Sequence, residues 1–264
     1  MDEQEYKIIN VNETNIDEYD LFCHKSKKKK DGYRNKVRWI KDRFNEGLRL
    51  KLLLINEGKK RGFKSRGFIE YIPGEYNWRG ISADNYMIIH CLWVVGRNKK
   101  KGYGSMLIDQ CVAEAKGMYG VAVLTSERTW LPGRRIFVKN GFKKVDTVSS
   151  NFELYVKRFS ENSPLPSFNK SFQKRRRRFE SGLTVFHSDQ CPYLCNMTGS
   201  LRDIAETLNI PFKVEYILNC KDAQNGVHPY GTFCVLYNGE VLTYHSDSRK
   251  NLLNLLVRKG VELF

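Results

Sequence analysis

A basic turn that carries two glycines is the segment of this sequence best suited to chemistry. Gly102 and Gly104 lie in it, and three lysines, Lys99, Lys100 and Lys101, come directly before them. Glycine lets the backbone turn tightly and approach an anion closely. If a helix follows, its first N–H groups and the positive end of its dipole point at the same anion. The turn therefore predicts a phosphate-binding site.

Two cysteines form a second candidate site. Cys191 and Cys195 are four residues apart, and positions four apart share one face of a helix. A helix N-terminus at Cys191 would lower the pKa of its thiol and make it the more reactive of the two. Together with His187 the thiols could bind a soft metal. Three scattered ligands are a weak signal, however, and we expect no bound metal.

The elements that must position these groups follow from the apolar patterns. The run from 86 to 95 is nearly continuous apolar sequence, as in a strand that is buried on both faces. After the glycine turn, an apolar stripe that includes Leu107, Ile108 and Cys111 predicts a helix packed on that sheet. Further strands are predicted at 50–55, 67–72, 121–124, 143–148 and 152–159, and helices at 15–22, 34–46 and 132–139.

The C-terminal part has its own order of elements. Strands predicted at 183–187 and 212–218 flank a helix, and Asn238-Gly239 predicts a hairpin within 232–244. A final amphipathic helix follows. Between the two parts, residues 161–182 combine two prolines and four successive arginines without a sustained apolar period. They predict a basic, exposed linker between a domain at 1–160 and a smaller one at 183–264.

The charge balance limits the partners. The 264 residues include 45 Lys and Arg against 29 Asp and Glu, a formal net charge of +16. Such a chain is attracted to nucleic acid, an anionic membrane or a polyphosphate cofactor. The aromatics do not alternate with the charges as in a base-stacking surface, so nucleic-acid binding is the less favoured alternative.

The sequence also indicates a cellular compartment. No run approaches the length of a membrane span, and the first residues are too acidic for a signal peptide. Seven cysteines do not form the pattern of a secreted disulfide framework. We therefore expect a cytoplasmic protein with reduced thiols and no membrane contact.

Residues of about 5–160 resemble the GNAT family of acetyltransferases. The family's acyl-CoA site has the pattern Gln/Arg-x-x-Gly-x-Gly/Ala, which Lys99, Gly102 and Gly104 match with a lysine in first place. The segment Phe137–Phe142 is similar to the family's Tyr-x-x-x-Gly-Phe. The resemblance implies an α/β fold with a GNAT-type mixed twisted sheet and flanking helices, and acetyl-CoA as co-substrate.

The resemblance also implies how acyl-CoA would bind. Amides from 100 to 105 would hold the pyrophosphate, and the main chain of 92–94 would pair with the pantetheine arm. One N–H of that strand would polarise the thioester carbonyl. The implied acyl-CoA-binding residues are Leu92, Trp93, Val94, Lys99, Lys100, Lys101, Gly102, Tyr103, Gly104 and Ser105.

Catalysis needs a base for the incoming ammonium and an acid for the departing thiolate. In many relatives a tyrosine is the acid, but Phe137 stands at that position. Candidates for the base are His90, Glu127 and Glu70, and candidates for the acid are Ser126, Tyr155 and Cys91. A lone histidine within a strand is also typical of a packed, structural residue.

The C-terminal part resembles a small thioredoxin-like α/β domain. Pro229 stands where that fold keeps a cis-proline, but Cys191-x-x-x-Cys195 has one residue more than the usual Cys-x-x-Cys. The combination with an acetyltransferase resembles the YoaP-type group of bacterial proteins. A thiol-redox or metal-handling site, a substrate-presenting module and a scaffold without redox function all stay open for this part.

The resemblance favours an N-acetyltransferase, in which a small-molecule or peptide amine attacks the thioester of acetyl-CoA directly. One alternative is a thiol-redox or metal-handling protein that uses Cys191 and Cys195 beside a degenerate acetyltransferase domain. The other is a basic nucleic-acid-binding protein. The sequence determines neither the acceptor amine nor the oligomeric state.

Overall fold

The computed structural model describes residues 5–127, 129–148 and 152–262. The strands are β1 (Tyr6–Val11), β2 (Arg49–Asn56), β3 (Phe63–Pro73), β4 (Ile81–Ser82), β5 (Tyr86–Val94), β6 (Gly120–Thr125), β7 (Lys143–Val148), β8 (Phe152–Arg158), β9 (Ser167–Phe168), β10 (Leu183–His187), β11 (Phe212–Tyr216), β12 (Phe233–Tyr237) and β13 (Glu240–Thr243). The α-helices are α1 (Asp31–Phe44), α2 (Tyr103–Glu114), α3 (Arg134–Lys139), α4 (Phe172–Arg176), α5 (Cys195–Thr207), α6 (Cys220–Gln224) and α7 (Arg249–Val257).

The first half is built on a seven-stranded mixed sheet with the strand order β1-β2-β3-β5-β6-β8-β7. Neighbouring strands are antiparallel except β5 and β6, which are parallel. The crossover between these two strands is α2, whose Leu107, Ile108 and Cys111 are fully buried. This apolar stripe holds α2 on the sheet, so the predicted mixed α/β architecture with flanking helices is confirmed.

Strands β5 and β6 separate halfway along their length. Tyr86–Ile89 pairs with Gly120–Val123, and the pairing ends there. At the same point β5 bulges against β3, because Glu70 is opposite Cys91 while Tyr71 is opposite Ile89. His90 is the extra residue of this bulge, and bulges bend a strand and increase its twist. The last residues of β5 are therefore left without a partner on the β6 side.

The second half contains a four-stranded sheet with the order β11-β10-β12-β13. Strand β10 is parallel to β11 and antiparallel to β12. Helix α5 begins at Cys195, so Cys191 lies in the turn before the helix. Among the described residues no peptide bond is cis, and the bond before Pro229 is trans, unlike the proline of the thioredoxin-like fold.

The two halves share their apolar cores. One cluster of buried side chains combines residues of both sheets, among them Ile88, Leu124, Phe152, Val185, Leu201 and Leu252. Residues 161–182 belong to the packing as well, since Phe168, Phe172 and Phe179 are buried and β9 pairs with β4. The phenylalanines of this segment are therefore packed against the halves, while most of its other residues are exposed, as the sequence predicted.

The helix expected at 15–22 is wrong, because this segment forms turns. Side chains bond the local backbone instead: Asn12 accepts from the Thr14 N–H at 3.0 Å, and Asp20 accepts from the Phe22 N–H at 2.8 Å. Such bonds compete with those of a helix. The apolar spacing reflects burial, since Ile16 is only 2% exposed. Strand β1, which pairs with β2, was not predicted from the sequence.

Within the described ranges, none of the helices is long and apolar enough to cross a membrane.

Candidate active site

A cavity of about 350 Å³ lies between the free end of β5 and the start of α2. It is lined by Leu92, Trp93, Val94, Asn98, Lys99, Lys100, Gly104, Leu131, Pro132, Gly133 and Ile136. Six of these residues belong to the predicted acyl-CoA set. The remaining lining comes from the β6–α3 connection, from Ile136 of α3 and from Asn98, which the sequence patterns did not single out. The separation of β5 from β6 creates this space.

The glycine turn has the conformation that an anion site requires. Gly102 is the residue before α2 and has a φ of 82°, in the left-handed region that favours glycine. It supplies no side-chain cap, so the first N–H groups of α2 keep their capacity to bind an anion. A Cβ on Gly104 would lie 2.5 Å from Cδ1 of Ile136, so glycine keeps the wall of the cavity open.

The other residues of the turn differ in what they offer. The Tyr103 ring is buried and its hydroxyl is 3.1 Å from Glu5, so only its backbone faces the turn. The Ser105 hydroxyl accepts a hydrogen bond from Asn140 at 3.0 Å, which joins α2 to the end of α3. Lys101 is exposed. Gly102, Lys101, Tyr103 and Ser105 do not line the cavity itself, although they are part of the same turn.

Trp93 is the exposed residue at the free end of β5. Its side chain is 47% exposed, and Nζ of Lys99 lies 5.9 Å from the centre of one of its rings. Leu92, in contrast, is buried under α2. The strand thus presents its main chain and the Trp93 ring to the cavity.

His90 is buried, and two hydrogen bonds fix its ring and its backbone. Its Nε2 accepts the backbone N–H of Trp78 at 3.0 Å, and its carbonyl oxygen accepts from Nη2 of Arg79 at 2.8 Å. Burial is the largest of the effects that lower its pKa, which falls to about 4. The ring is therefore neutral at pH 7, and the nitrogen with the free electron pair is already occupied. This geometry favours a role in fixing the β5 bulge over a role in proton transfer.

Glu70 is a fully buried carboxylate with two close partners. Its Oε2 accepts from Nζ of Lys36 at 2.5 Å, and its Oε1 accepts from Nε2 of Gln190 at 2.8 Å. Nδ1 of His90 lies 3.7 Å from Oε1, too far for a hydrogen bond. Burial raises the pKa of this carboxyl, but the charge of Lys36 more than offsets it, and the pKa falls to about 2. Glu70 is thus ionised and paired, and it joins the two halves.

Ser126 and Glu127 lie at the end of β6. Ser126 is buried, while the Glu127 side chain is 83% exposed, with Oε1 3.8 Å from Nη2 of Arg134. The Tyr155 hydroxyl, another acid candidate, donates to Glu153 at 3.2 Å. Phe137 is fully buried against Phe142, with ring centres 5.4 Å apart. Of these side chains, only that of Glu127 is widely open to solvent.

The thiols are arranged differently from the sequence prediction. Cys191 lies near Cys91 of β5 and Cys23 of the first half, close enough to raise the pKa of both. Burial raises the pKa of Cys91 to about 12 and that of Cys191 to about 11. The prediction that a helix N-terminus lowers the pKa of Cys191 is therefore wrong, because the helix begins only at Cys195. Sequence spacing cannot reveal such a long-range cluster.

All seven cysteines are free thiols. Within the described part of the chain, no group of three or more His, Cys, Asp and Glu side chains could hold a metal ion.

Comparisons with known proteins identify relatives. The chain is 31% identical over 253 residues to a Bacillus subtilis (strain 168) protein described as the uncharacterized N-acetyltransferase YoaP. The match covers 94% of this chain and 97% of that protein. No family model matches the sequence.

Solved structures of acetyltransferases are also similar. Arabidopsis thaliana NAA60 in complex with acetyl-CoA is 14% identical, with a TM-score of 0.41, over 58% of this chain and 98% of that one. The GNAT family N-acetyltransferase YhbS from Escherichia coli, in complex with CoA, is 11% identical, with a TM-score of 0.40, over 62% and 89%. The nearly full-length match shows that the chain belongs to the family of the N-acetyltransferase YoaP.

Proposed function

We propose that this N-acetyltransferase uses acetyl-CoA and binds it in the cavity between β5 and α2. The observation that carries the proposal is the convergence of six expected residues on this one cavity. The basic turn and the open N–H groups of α2 suit the pyrophosphate, and the free edge of β5 suits the pantetheine amides. Acetyl-CoA complexes among the similar structures agree with this choice of donor.

The reaction needs little covalent chemistry from the protein. The amine nitrogen attacks the thioester carbon, so a C–N bond forms and the C–S bond breaks. The electron pair of that bond leaves with the CoA thiolate, which takes up a proton, and the amine nitrogen loses one. An N–H of the free β5 edge would donate to the carbonyl oxygen as negative charge develops on it.

Glu127 is our proposal for the residue that takes the proton of the incoming ammonium. It is a carboxylate at the end of β6, it is open to solvent, and the neighbouring segment from 131 to 133 lines the cavity. His90 is less suited, because its free electron pair already accepts the Trp78 N–H. Ser126 is a hydroxyl and a weaker base than a carboxylate.

The thiol-redox alternative has less support than acyl transfer. A reactive redox thiol has a lowered pKa. Here the pKa of Cys191 is raised, and the two cysteines of the predicted pair have different neighbours. For the nucleic-acid alternative, the described surface offers exposed basic side chains at 174, 177 and 178 without an interleaved series of exposed aromatics.

We propose a thioredoxin-like arrangement for residues 183–262. The order of strand, helix, strand, hairpin and helix supports it, with β10 parallel to β11. The boundaries at 160 and 183 are proposals too, because the cores of the halves are shared. Free thiols agree with the expected cytoplasmic location.

The test is release of free CoA from acetyl-CoA across a panel of amines, including small molecules and peptides. We expect release that requires both the protein and an amine. Replacing Glu127 with Gln should lower kcat about 100-fold, as for loss of a general base, whereas the exposed Glu161→Gln should not. If no amine stimulates CoA release, the proposal fails. An unchanged kcat for Glu127→Gln would refute the role of that residue alone.

A further inference from the structure

The turn from Cys191 to Cys195 is fixed against the acetyltransferase half. On one side of it, Gln190 donates to the buried Glu70, and Asn35 donates to Asp189 at 3.2 Å. In the middle, a Cβ on Gly32 would lie only 2.4 Å from the carbonyl oxygen of Pro192. These contacts leave no room for the turn to shift without breaking the interface between the halves.

Within this fixed turn, the side chain of Tyr193 is partly exposed to solvent. Its side chain is 42% exposed, and its ring lies edge-on to Trp130 at 5.3 Å and to His24 at 4.1 Å between ring centres. Trp130 is itself 37% exposed. We call these three side chains the aromatic rim. They come from three distant parts of the sequence, and one of them belongs to the C-terminal half.

The aromatic rim adjoins the lining of the proposed acyl-CoA cavity through Trp130. Trp130 directly precedes Leu131, which lines the cavity together with Leu92. On the other side, Cys91 directly precedes Leu92, and it lies near Cys23, Cys191 and Tyr193. An amine that approaches a thioester beside Leu92 from the side of the C-terminal half therefore passes Trp130 and Tyr193, near these thiols.

The side chains along this route indicate which chemical group the acceptor carries beside its amine. Cys23, Cys91 and Cys191 are partly buried residues, and burial raises the pKa of their thiols, so the thiols are neutral at pH 7. The nearby Glu70 is paired with Lys36, and Arg79 donates to the oxygens of Tyr230, Thr232 and His90. Aromatic rings attract other rings and the ammonium group.

We propose that the aromatic rim is the entrance of the acceptor site, and that the acceptor is a primary amine with an aromatic body. The C-terminal half thereby contributes to substrate selection through Tyr193. This inference rests on the proposed function, since it concerns the acceptor of the same reaction.

The test compares 2-phenylethylamine with spermidine as acceptors, after acetyl-CoA binding has been measured by calorimetry for each variant. We expect 2-phenylethylamine to be used better. Tyr193→Ala and Trp130→Ala should raise its KM about 3- to 10-fold, the size of a lost aromatic contact, without changing the Kd of acetyl-CoA. Tyr193→Phe should keep the native KM, and so should Tyr216→Ala, which removes another exposed tyrosine of the C-terminal half.

The outcomes separate the two proposals. Preference for spermidine, or an unchanged KM in Tyr193→Ala with acetyl-CoA still bound, would overturn the aromatic-rim inference alone. Absence of acetyl-CoA binding to the unsubstituted chain would overturn the proposed function, and this inference with it.

Discussion

Glu70 is the residue through which the C-terminal half reaches the bulge in β5. Its carboxylate is buried and ionised, and it depends on Lys36 and Gln190 for its hydrogen bonds. Removing one partner of a buried ion pair lowers the free energy of unfolding much more than replacing both partners, because the remaining charge stays buried and unpaired. The stability of the fold around Glu70 therefore requires that Lys36 remain cationic and in place.

We predict that Lys36→Met lowers the free energy of unfolding by about 3–5 kcal/mol, because Glu70 is left as an unpaired buried charge. Urea denaturation measures the change. The matched control on the same helix is Lys41→Met, which breaks the exposed ion pair with Asp17 and should cost at most about 1 kcal/mol. Equal losses in the two variants would contradict the importance of the buried pair, and Lys36→Met/Glu70→Gln should recover part of the loss.

The separation of β5 from β6 is the decisive feature at the scale of elements. Both strands are predictable, since 86–94 and 120–125 are apolar runs. The point at which they part is not, because it depends on the bulge at His90 and on Arg79, which bonds the His90 carbonyl from another segment. Sequence periodicity describes one element at a time, so it predicts the strand and the glycine turn but not the gap between them.

We predict that acetyl-CoA protects the free end of β5 from hydrogen exchange. Backbone groups of 90–94 on the β6 side lack strand partners, and pairing with the pantetheine arm would supply them. Hydrogen–deuterium exchange with mass spectrometry should show slower exchange in peptides that cover 90–95 and 100–106. Peptides of β2, which is paired on both sides, should not change. Protection in β2 alone would contradict this mode of binding.

At the scale of the whole molecule, the two halves form one structure. Their buried side chains belong to common clusters, and Arg79 of the first half bonds Tyr230 and Thr232 of the second. The sequence indicated a linker at 161–182 because of its prolines and arginines. Its buried phenylalanines, Phe168, Phe172 and Phe179, are too few to form a periodic signal. The sequence pattern therefore does not reveal that this segment contacts both halves.

We predict a single cooperative unfolding transition for the full chain. All four tryptophans lie in the first half, at 39, 78, 93 and 130, so their fluorescence reports on that half and on its contacts with the second, while far-ultraviolet circular dichroism reports on both. The two urea curves should coincide. A separate fluorescence transition at a different urea concentration would mean that the halves unfold independently.

Calorimetric titration of the full chain with acetyl-CoA measures whether the cavity between β5 and α2 binds the donor. We expect one binding site per chain. We also expect an affinity loss of about tenfold or more in Gly104→Asp, because a carboxylate would stand in the wall of the cavity beside the phosphate site. Gly199→Asp, which adds the same charge in an open place on α5, should bind acetyl-CoA normally. Absence of binding to the native chain, or native affinity in a folded Gly104→Asp variant, would contradict the account.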